Sequence, residues 1–213
     1  MEEFVPFPKI PRLRRPVVVT EKLDGSNGAI RVRILADDEQ ADLESEVPVM
    51  VNFGNAGWDR VAVSAQSRKR VITPGKSTDN YGFARWVWDH AAILAVQLGD
   101  GLHFGEWWGQ GIARGYNLDH KRFSLFNTAR WGHLEEPVTL GNNVLTVVPV
   151  IEELDVFDTE TIEDIVDDLR TDGSHAAPGF NGPEGVVVYH KAGNTLFKRL
   201  LENDEIPKGV DEK

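Results

Sequence analysis

Apolar residues fall in short, often alternating runs that predict strands at residues 17–22, 29–35, 47–53 and 61–65. The same signal predicts strands at residues 102–107, 122–126, 144–150, 185–189 and 195–200. Turn chemistry punctuates them: Asp24-Gly25-Ser26-Asn27-Gly28 separates the first two, and Gly54-Asn55-Ala56-Gly57 the next two. Residues 36–46 are polar and read as an exposed loop. Two stretches change period. Phe83, Val87, Ala91 and Leu94 predict one helix over residues 83–98. Ile162, Ile165, Val166 and Leu169 form an apolar stripe over residues 159–170, with Thr161-x-x-Asp164 as its expected cap. A Gly/Pro-rich loop follows at residues 171–183, and a polar tail begins at Glu202. Many strands with two helices predict an α+β fold of antiparallel sheets flanked by helices.

The 213 residues suffice for one domain with a substantial core. No apolar run of about 18 residues exists, which excludes a helical membrane span, and the first residues lack the apolar stretch of a secretory signal. The absence of cysteine excludes disulfides and thiolate metal sites and agrees with a cytoplasmic location. A net charge of -11 argues against indiscriminate binding to polyanions. The acid is concentrated at residues 37–46 and 152–172, whereas basic residues cluster at 9–15, 68–70 and 114–130. Such local basic surfaces can hold a nucleic-acid end, the plain alternative being scattered solvated charge.

Four segments carry candidate chemistry. In Glu21-Lys22-Leu23-Asp24-Gly25-Ser26-Asn27-Gly28, strand alternation puts Lys22 and Asp24 on one face and Glu21 on the other. A lysine leaving a strand into a glycine turn can offer its amine to a ligand, provided its surroundings strip the proton. Taken alone, the segment reads as an ordinary hairpin turn with an exposed lysine. Phe104-Gly105-Glu106-Trp107-Trp108-Gly109 sets a carboxylate in an aromatic strand, where burial demands a partner. Pro183-Glu184-Gly185-Val186-Val187-Val188-Tyr189 opens a β-branched strand with a glutamate, and Thr195-Leu196-Phe197-Lys198-Arg199 carries cations into a hydrophobic strand. The six histidines show no metal-ligand spacing and read as structural or solvated. Trp86 or Trp88 belongs to the core, and one of Trp107 and Trp108 is expected to face outward as a candidate substrate contact. Gly109-x-Gly111 lacks the strand-to-helix setting of a dinucleotide fold.

The order Lys-x-Asp-Gly, Gly-Glu, Glu-Gly-Val-Val-Val and Phe-Lys resembles that of the covalent nucleotidyltransferases, which include ATP- and NAD-dependent ligases and mRNA-capping enzymes. Within that superfamily the chain looks most like the RNA ligase 2-type branch of ATP-dependent RNA ligases. The resemblance runs from about Val17 to Leu200. Ser67-Arg68 with Ile72-x-Pro74 and Tyr81-Gly82-Phe83 resembles that branch's arginine-bearing strand. Gly105-Glu106-x-x-Gly109-x-Gly111-Ile112 resembles its glutamate segment, and Phe123-Ser124-Leu125-Phe126 its adenine-stacking strand.

The resemblance implies that Lys22 attacks the α-phosphate of ATP and holds AMP, which then passes to a 5′-phosphate and is displaced by a 3′-hydroxyl. It implies Glu21 at the adenine edge, Phe126 stacked on the base, and Arg68 and Glu106 at the ribose. Asn27 contacts the nucleotide end, and Lys198 neutralises the α-phosphate. Asp24, Glu106 and Glu184 orient a largely hydrated Mg2+, for which Mn2+ can substitute. The implied partners are nucleic-acid ends, RNA before DNA, in an RNA-repair setting, with no membrane. Two departures stand out. Leu200 occupies the position of the family's second lysine, leaving Arg199 (through a bulge) or Lys191 as replacements. The short stretch after Leu200 leads us to expect no C-terminal accessory domain, a role a partner protein could fill. A DNA ligase core, a capping guanylyltransferase and a nucleotide or RNA-end binding module without turnover are the alternatives; Glu21-Lys22 and the missing barrel argue against capping.

Overall fold

In chain order the first strands are β1 (Val17–Lys22), β2 (Ser26–Ile34), β3 (Val47–Val51), β4 (Asp59–Ser67) and β5 (Val71–Ile72). Helices α1 (Phe83–Asp89) and α2 (Ala91–Leu98) precede β6 (Gly101–Gly109) and β7 (Lys121–Leu125). Then come α3 (Thr128–Trp131), β8 (Val138–Leu140), β9 (Asn143–Val147) and β10 (Val150–Leu154). Helix α4 (Thr159–Asp172) leads to β11 (Gly185–His190) and β12 (Thr195–Leu200). This is a computed structural model that describes residues 4–54, 57–134 and 136–205; Asn55 and Ala56 of the turn expected at residues 54–57, and most of the tail after Glu202, lie outside them. The architecture is the expected α+β one, in two units: Met1–Leu23 with Val148–Lys213, and Asp24–Val147.

The first unit is a four-stranded antiparallel sheet in the order β10-β1-β11-β12. Alternation on β1 and β11 sends Val17, Val19, Val186 and Val188 to one face, where they meet Ile162, Ile165, Val166 and Leu169 of α4. The helix is capped by Asp158, whose carboxylate accepts from the Thr161 backbone N–H at 3.0 Å and its hydroxyl at 2.9 Å. The expected Thr161-x-x-Asp164 cap is therefore corrected: Thr161 already lies inside the first turn, and the residue before the helix supplies the acceptor.

The second unit is a larger sheet in the order β3-β4-β2-β6-β7-β9-β8, with β5 added to β4. Among the described residues only β7 and β9 pair in parallel. One face packs on α1 and α2, with Phe83 against Trp107 (5.4 Å between ring centroids) and Phe123 (4.9 Å), and Trp86 against Trp107 (5.1 Å). Gly28 leaves room for Phe83: a Cβ there would sit 2.7 Å from its ring. The helix expected over residues 83–98 is two. His90 leaves helical geometry (φ −119°, ψ 18°), and its imidazole hydrogen-bonds the Trp86 carbonyl at 2.8 Å. The strand expected over residues 144–150 also divides, because Val148 and Pro149 separate β9, in the large sheet, from β10, in the small one. No described helix is long and apolar enough to cross a membrane.

Phe83 holds the second unit's aromatic layer together. Phe83→Ala is expected to cost about 3–5 kcal/mol, read as a lowered midpoint in denaturant unfolding.

Candidate active site

Lys22 is the last residue of β1 and pairs with Gly185. Its Nζ forms an ion pair with the carboxylate of Glu184, the residue before β11; the two side chains are 20% and 8% exposed. A carboxylate so shielded requires a counter-charge, and this lysine supplies it. The register sets Thr20, Val187 and Lys198 in one cross-strand row and Lys22, Gly185 and Leu200 in the next. Lys198 therefore projects from the same sheet face as Lys22, one row along. Gly185 has φ +150°, and a Cβ there would lie 2.2 Å from the Arg199 carbonyl oxygen, so this close approach of β12 admits only glycine.

Glu21 points to the opposite face. It is 1% exposed, and its carboxylate accepts from the Ser174 hydroxyl at 2.6 Å and the Ala176 N–H at 2.8 Å. Burial pushes its pKa up, against the opposing pull of those hydrogen bonds. Neither expected replacement for the second lysine stands in the Lys22 row. β12 pairs with β11 without a bulge, so Arg199 aligns with Val186 on the α4 side and binds Glu163 through two 2.8 Å hydrogen bonds. Lys191 lies at the other end of β1, with its N–H on the Pro16 carbonyl and its amine on Glu153 at 2.7 Å. Strand parity excludes the first and strand length the second.

In the second unit Asn27 pairs with Glu106, Glu106 with Ser124, and Ser124 with Thr146. These four form one row across β2, β6, β7 and β9, on the face turned from α1 and α2. Arg68 directly follows Ser67, the residue opposite Gly28, and so flanks that row. Phe126 is 39% exposed just past β7, its N–H bonded to the Phe104 carbonyl at 3.0 Å. Asn27 and Glu106 are thus direct neighbours, with Arg68 at one side.

Asp24 is held by two residues that sequence reasoning missed. Its N–H donates to the Tyr116 hydroxyl at 2.8 Å, and its carboxylate accepts from Arg114 Nε at 3.0 Å. Both belong to the loop after β6, where Gly109, Gly111, Ala113, Gly115, Tyr116 and Asn117 all have positive φ. The glycine spacing was the available signal for so sharply folded a loop. Tyr116 packs edge-on to Trp108 at 4.7 Å. The expectation that Trp107 or Trp108 faces outward is corrected, since both are 1% exposed. Trp107 fills the core, while Trp108 donates to Ser124 Oγ at 2.8 Å under Tyr116, with the Arg122 guanidinium 5.6 Å from its ring. The loop covers the outer face that alternation left open.

Among the described residues no three acidic or histidine side chains converge as a ready-made metal cage. Asp24, Glu106 and Glu184 offer only oxygen, the donor type that suits Mg2+ held largely through its own water. His90, His103 and His190 bond the carbonyls of Trp86, Gly99 and Leu13.

The sequence profile of the RNA ligase family matches residues 15–200. The chain belongs to the RNA ligase family. Solved structures of a Naegleria gruberi RNA ligase share the fold. A substituted form with ATP and Mn gives a TM-score of 0.55 at 18% identity, covering 88% of this chain and 50% of that one. Another, with AMP and Mn, gives 0.54 at 18% identity over 87% and 49%. The chain thus spans about half the length of the ligase structures it matches. No curated protein sequence matches it.

Glu21 makes the stability of this RNA ligase family member pH-dependent. Its folded pKa is raised, so its contribution is fully present below the unfolded value of about 4.3 and is lost as pH rises through the folded value. Thermal unfolding across mildly acidic pH should show this decline, and Glu21→Gln should flatten it.

Proposed function

We propose that the chain is an ATP-dependent RNA ligase whose covalent intermediate is AMP on Lys22. The observation that carries this is the end of β1, where Lys22 meets the buried Glu184 and Lys198 rises from the same face. In the first step Lys22 Nζ gives up a proton, for which Glu184 is the nearest acceptor, and attacks the α-phosphorus of ATP. An N–P bond forms, the bond from that phosphorus to the bridging oxygen breaks, and pyrophosphate leaves with the electron pair. Lys198 balances the charge on the α-phosphate, the contribution on which phosphoryl transfer most depends. AMP then passes to an RNA 5′-phosphate, and a 3′-hydroxyl displaces it as the phosphodiester forms.

For the nucleotide, Phe126 supplies a half-exposed ring for the base, and Asn27, Glu106 and Arg68 supply polar contacts to sugar and phosphate; Glu21, assigned to the adenine edge by the resemblance, lies buried on the opposite sheet face, where it holds Ser174 and Ala176. Asp24, Glu106 and Glu184 would hold Mg2+ or Mn2+ through water. Such an ion supplies charge neutralisation and alignment of phosphate oxygens. Arg114 and Tyr116 keep Asp24 oriented for that role. The Naegleria ligase solved with ATP and Mn and with AMP and Mn supports this choice of nucleotide and ion. A binding module without turnover is the second reading, favoured by Leu200 in the Lys22 row.

Incubation with α-labelled ATP and Mg2+ should leave label on the denatured protein, lost in Lys22→Ala and after chelation. Lys198→Ala should slow labelling about 100-fold or more, the scale for losing one group that stabilises a developing anion. Nicked RNA given to the adenylated protein should be sealed in preference to nicked DNA. No label from ATP would sink the ligase reading in favour of the binding module, and label from GTP alone would redirect it to capping.

Leu200→Lys would restore a second cation to the Lys22 row and should raise the labelling rate about tenfold, a gain of about 1.4 kcal/mol in the barrier. An unchanged rate in a folded variant would show that the row no longer limits the step.

A further inference from the structure

The segment preceding β1 has a pattern that the ligase reading does not use. Pro6, Pro8 and Pro11 fix their own φ near −65°, and each pushes the residue before it toward extended or polyproline II geometry. Val5, Pro6, Phe7, Pro8, Ile10 and Pro11 are all restricted in this way, and the structure has no helix or strand before Val17 among the described residues. Polyproline II repeats every three residues. At that period Phe4, Phe7 and Ile10 share one edge and Lys9 and Arg12 another; at residues 13–15 the chain bends, the Arg15 N–H donating to the Leu13 carbonyl at 2.9 Å, and Arg15 adds a third cation at the base of the segment. The apolar edge is uncovered: Phe4 is 86% exposed, Phe7 82% and Ile10 75%.

The base of the segment is fixed. The His190 Nε2–H donates to the Leu13 carbonyl at 2.6 Å, while His190 Nδ1 accepts from the Gly193 N–H at 2.9 Å. Phe157 and Lys191 donate their N–H groups to the carbonyls of Arg15 and Pro16, at 2.8 and 3.1 Å. Hydrogen bonds from the Thr161 N–H and hydroxyl hold the Asp158 carboxyl below the ordinary range, and the charge of Arg14 adds to their pull. Lys9, Arg12 and Arg15 form no ion pair among the described residues.

We propose that residues 4–15 are a binding arm for single-stranded nucleic acid, with Phe4 and Phe7 stacking on bases and Lys9, Arg12 and Arg15 contacting phosphates. Stiff proline geometry lowers the ordering cost of binding. Cations beside exposed rings suit a strand whose phosphates repeat and whose bases offer flat faces. A chain of net charge -11 that collects four cations and no acid between residues 4 and 16 has one partner class to match, a polyanion. An apolar protein groove would fill the Phe edge and leave the cationic edge without a purpose. The proposal deepens the ligase reading by giving its RNA strand a foothold, and it rests on that reading only for the identity of the polymer.

The test uses the full chain and a labelled, 5′-phosphorylated single-stranded oligoribonucleotide, with anisotropy followed against salt. Lys9→Ala/Arg12→Ala/Arg15→Ala should weaken binding at least tenfold and reduce the slope of log K against log salt by about 2, at about 0.7 per phosphate contact. Phe4→Ala/Phe7→Ala should weaken binding about tenfold or more with the slope unchanged, as loss of stacking does. Both variants should label with ATP as wild type does. Wild-type affinity and slope in both variants would overturn the proposal, as would capture of the arm by a polyproline-binding protein domain with no effect on RNA. If RNA binding falls as stated but wild type takes no label from ATP, the arm stands and the ligase reading fails.

Discussion

A carboxylate shielded as Glu184 is cannot stand without a positive partner, and much about the first unit follows from how it acquires one. Leaving such a group unpaired costs about 3–5 kcal/mol, a large share of the stability of an ordinary domain. The pairing requires Lys22 to end β1 opposite the start of β11, which in turn requires the unbroken β1–β11 register. That register is held from the other face by Val17, Val19, Val186 and Val188 against the stripe of α4. Gly185 completes the arrangement by letting β12 close in, so that Lys198 arrives one row from the lysine. The apolar core and the charged strand end are thus two consequences of one alignment.

The same parity assigns the remaining roles. Residues alternating with Lys22 are driven to the helix side, where Glu21 is saturated by Ser174 and Ala176, and Arg199 by Glu163. In the second unit Trp107 takes the helix-side face of β6, while Phe104 and Trp108 share the other face with the Asn27–Glu106–Ser124–Thr146 row. Lys22 ends β1 of the small sheet and Ser26 opens β2 of the large one, so Asp24 lies in the connection that carries the chain from one sheet to the other. Lys-x-Asp-Gly is a crossover between sheets, which removes the bland reading of a hairpin turn.

Much of this was legible in the sequence, because strand burial is written as alternation and α4 as a four-residue apolar stripe. β1 and β12 have the bounds the pattern put on them and β11 runs one residue further, to His190, with Lys22 and Lys198 on the strands expected to carry them. What escaped were features decided by non-local contacts. The break at His90 depends on a side chain taking a backbone carbonyl, and the division of β9 from β10 depends on which sheet each half joins. One of Trp107 and Trp108 read as an outward ring because alternation cannot foresee the loop carrying Tyr116 back over Trp108. Arg114 and Tyr116 are far from Asp24 in sequence, and nothing local ties them to it.

The Leu200 departure acquires meaning from that geometry. In a regular strand a cation cannot be replaced by its neighbour, since moving one residue along reverses the face. Arg199 is therefore no substitute for a lysine at position 200; its guanidinium ties β12 to α4 through Glu163 and serves the fold. The Lys22 row carries one formal cation where the family pattern has a second, and Lys198 is left as the positive group on that face of β12. Charge developing on a phosphate beside Lys22 then meets a less compensated field from this sheet. The proposed reaction would then lean harder on Lys198 and on what the nucleotide brings with it, a consequence of strand parity as much as of the amino acid at one position.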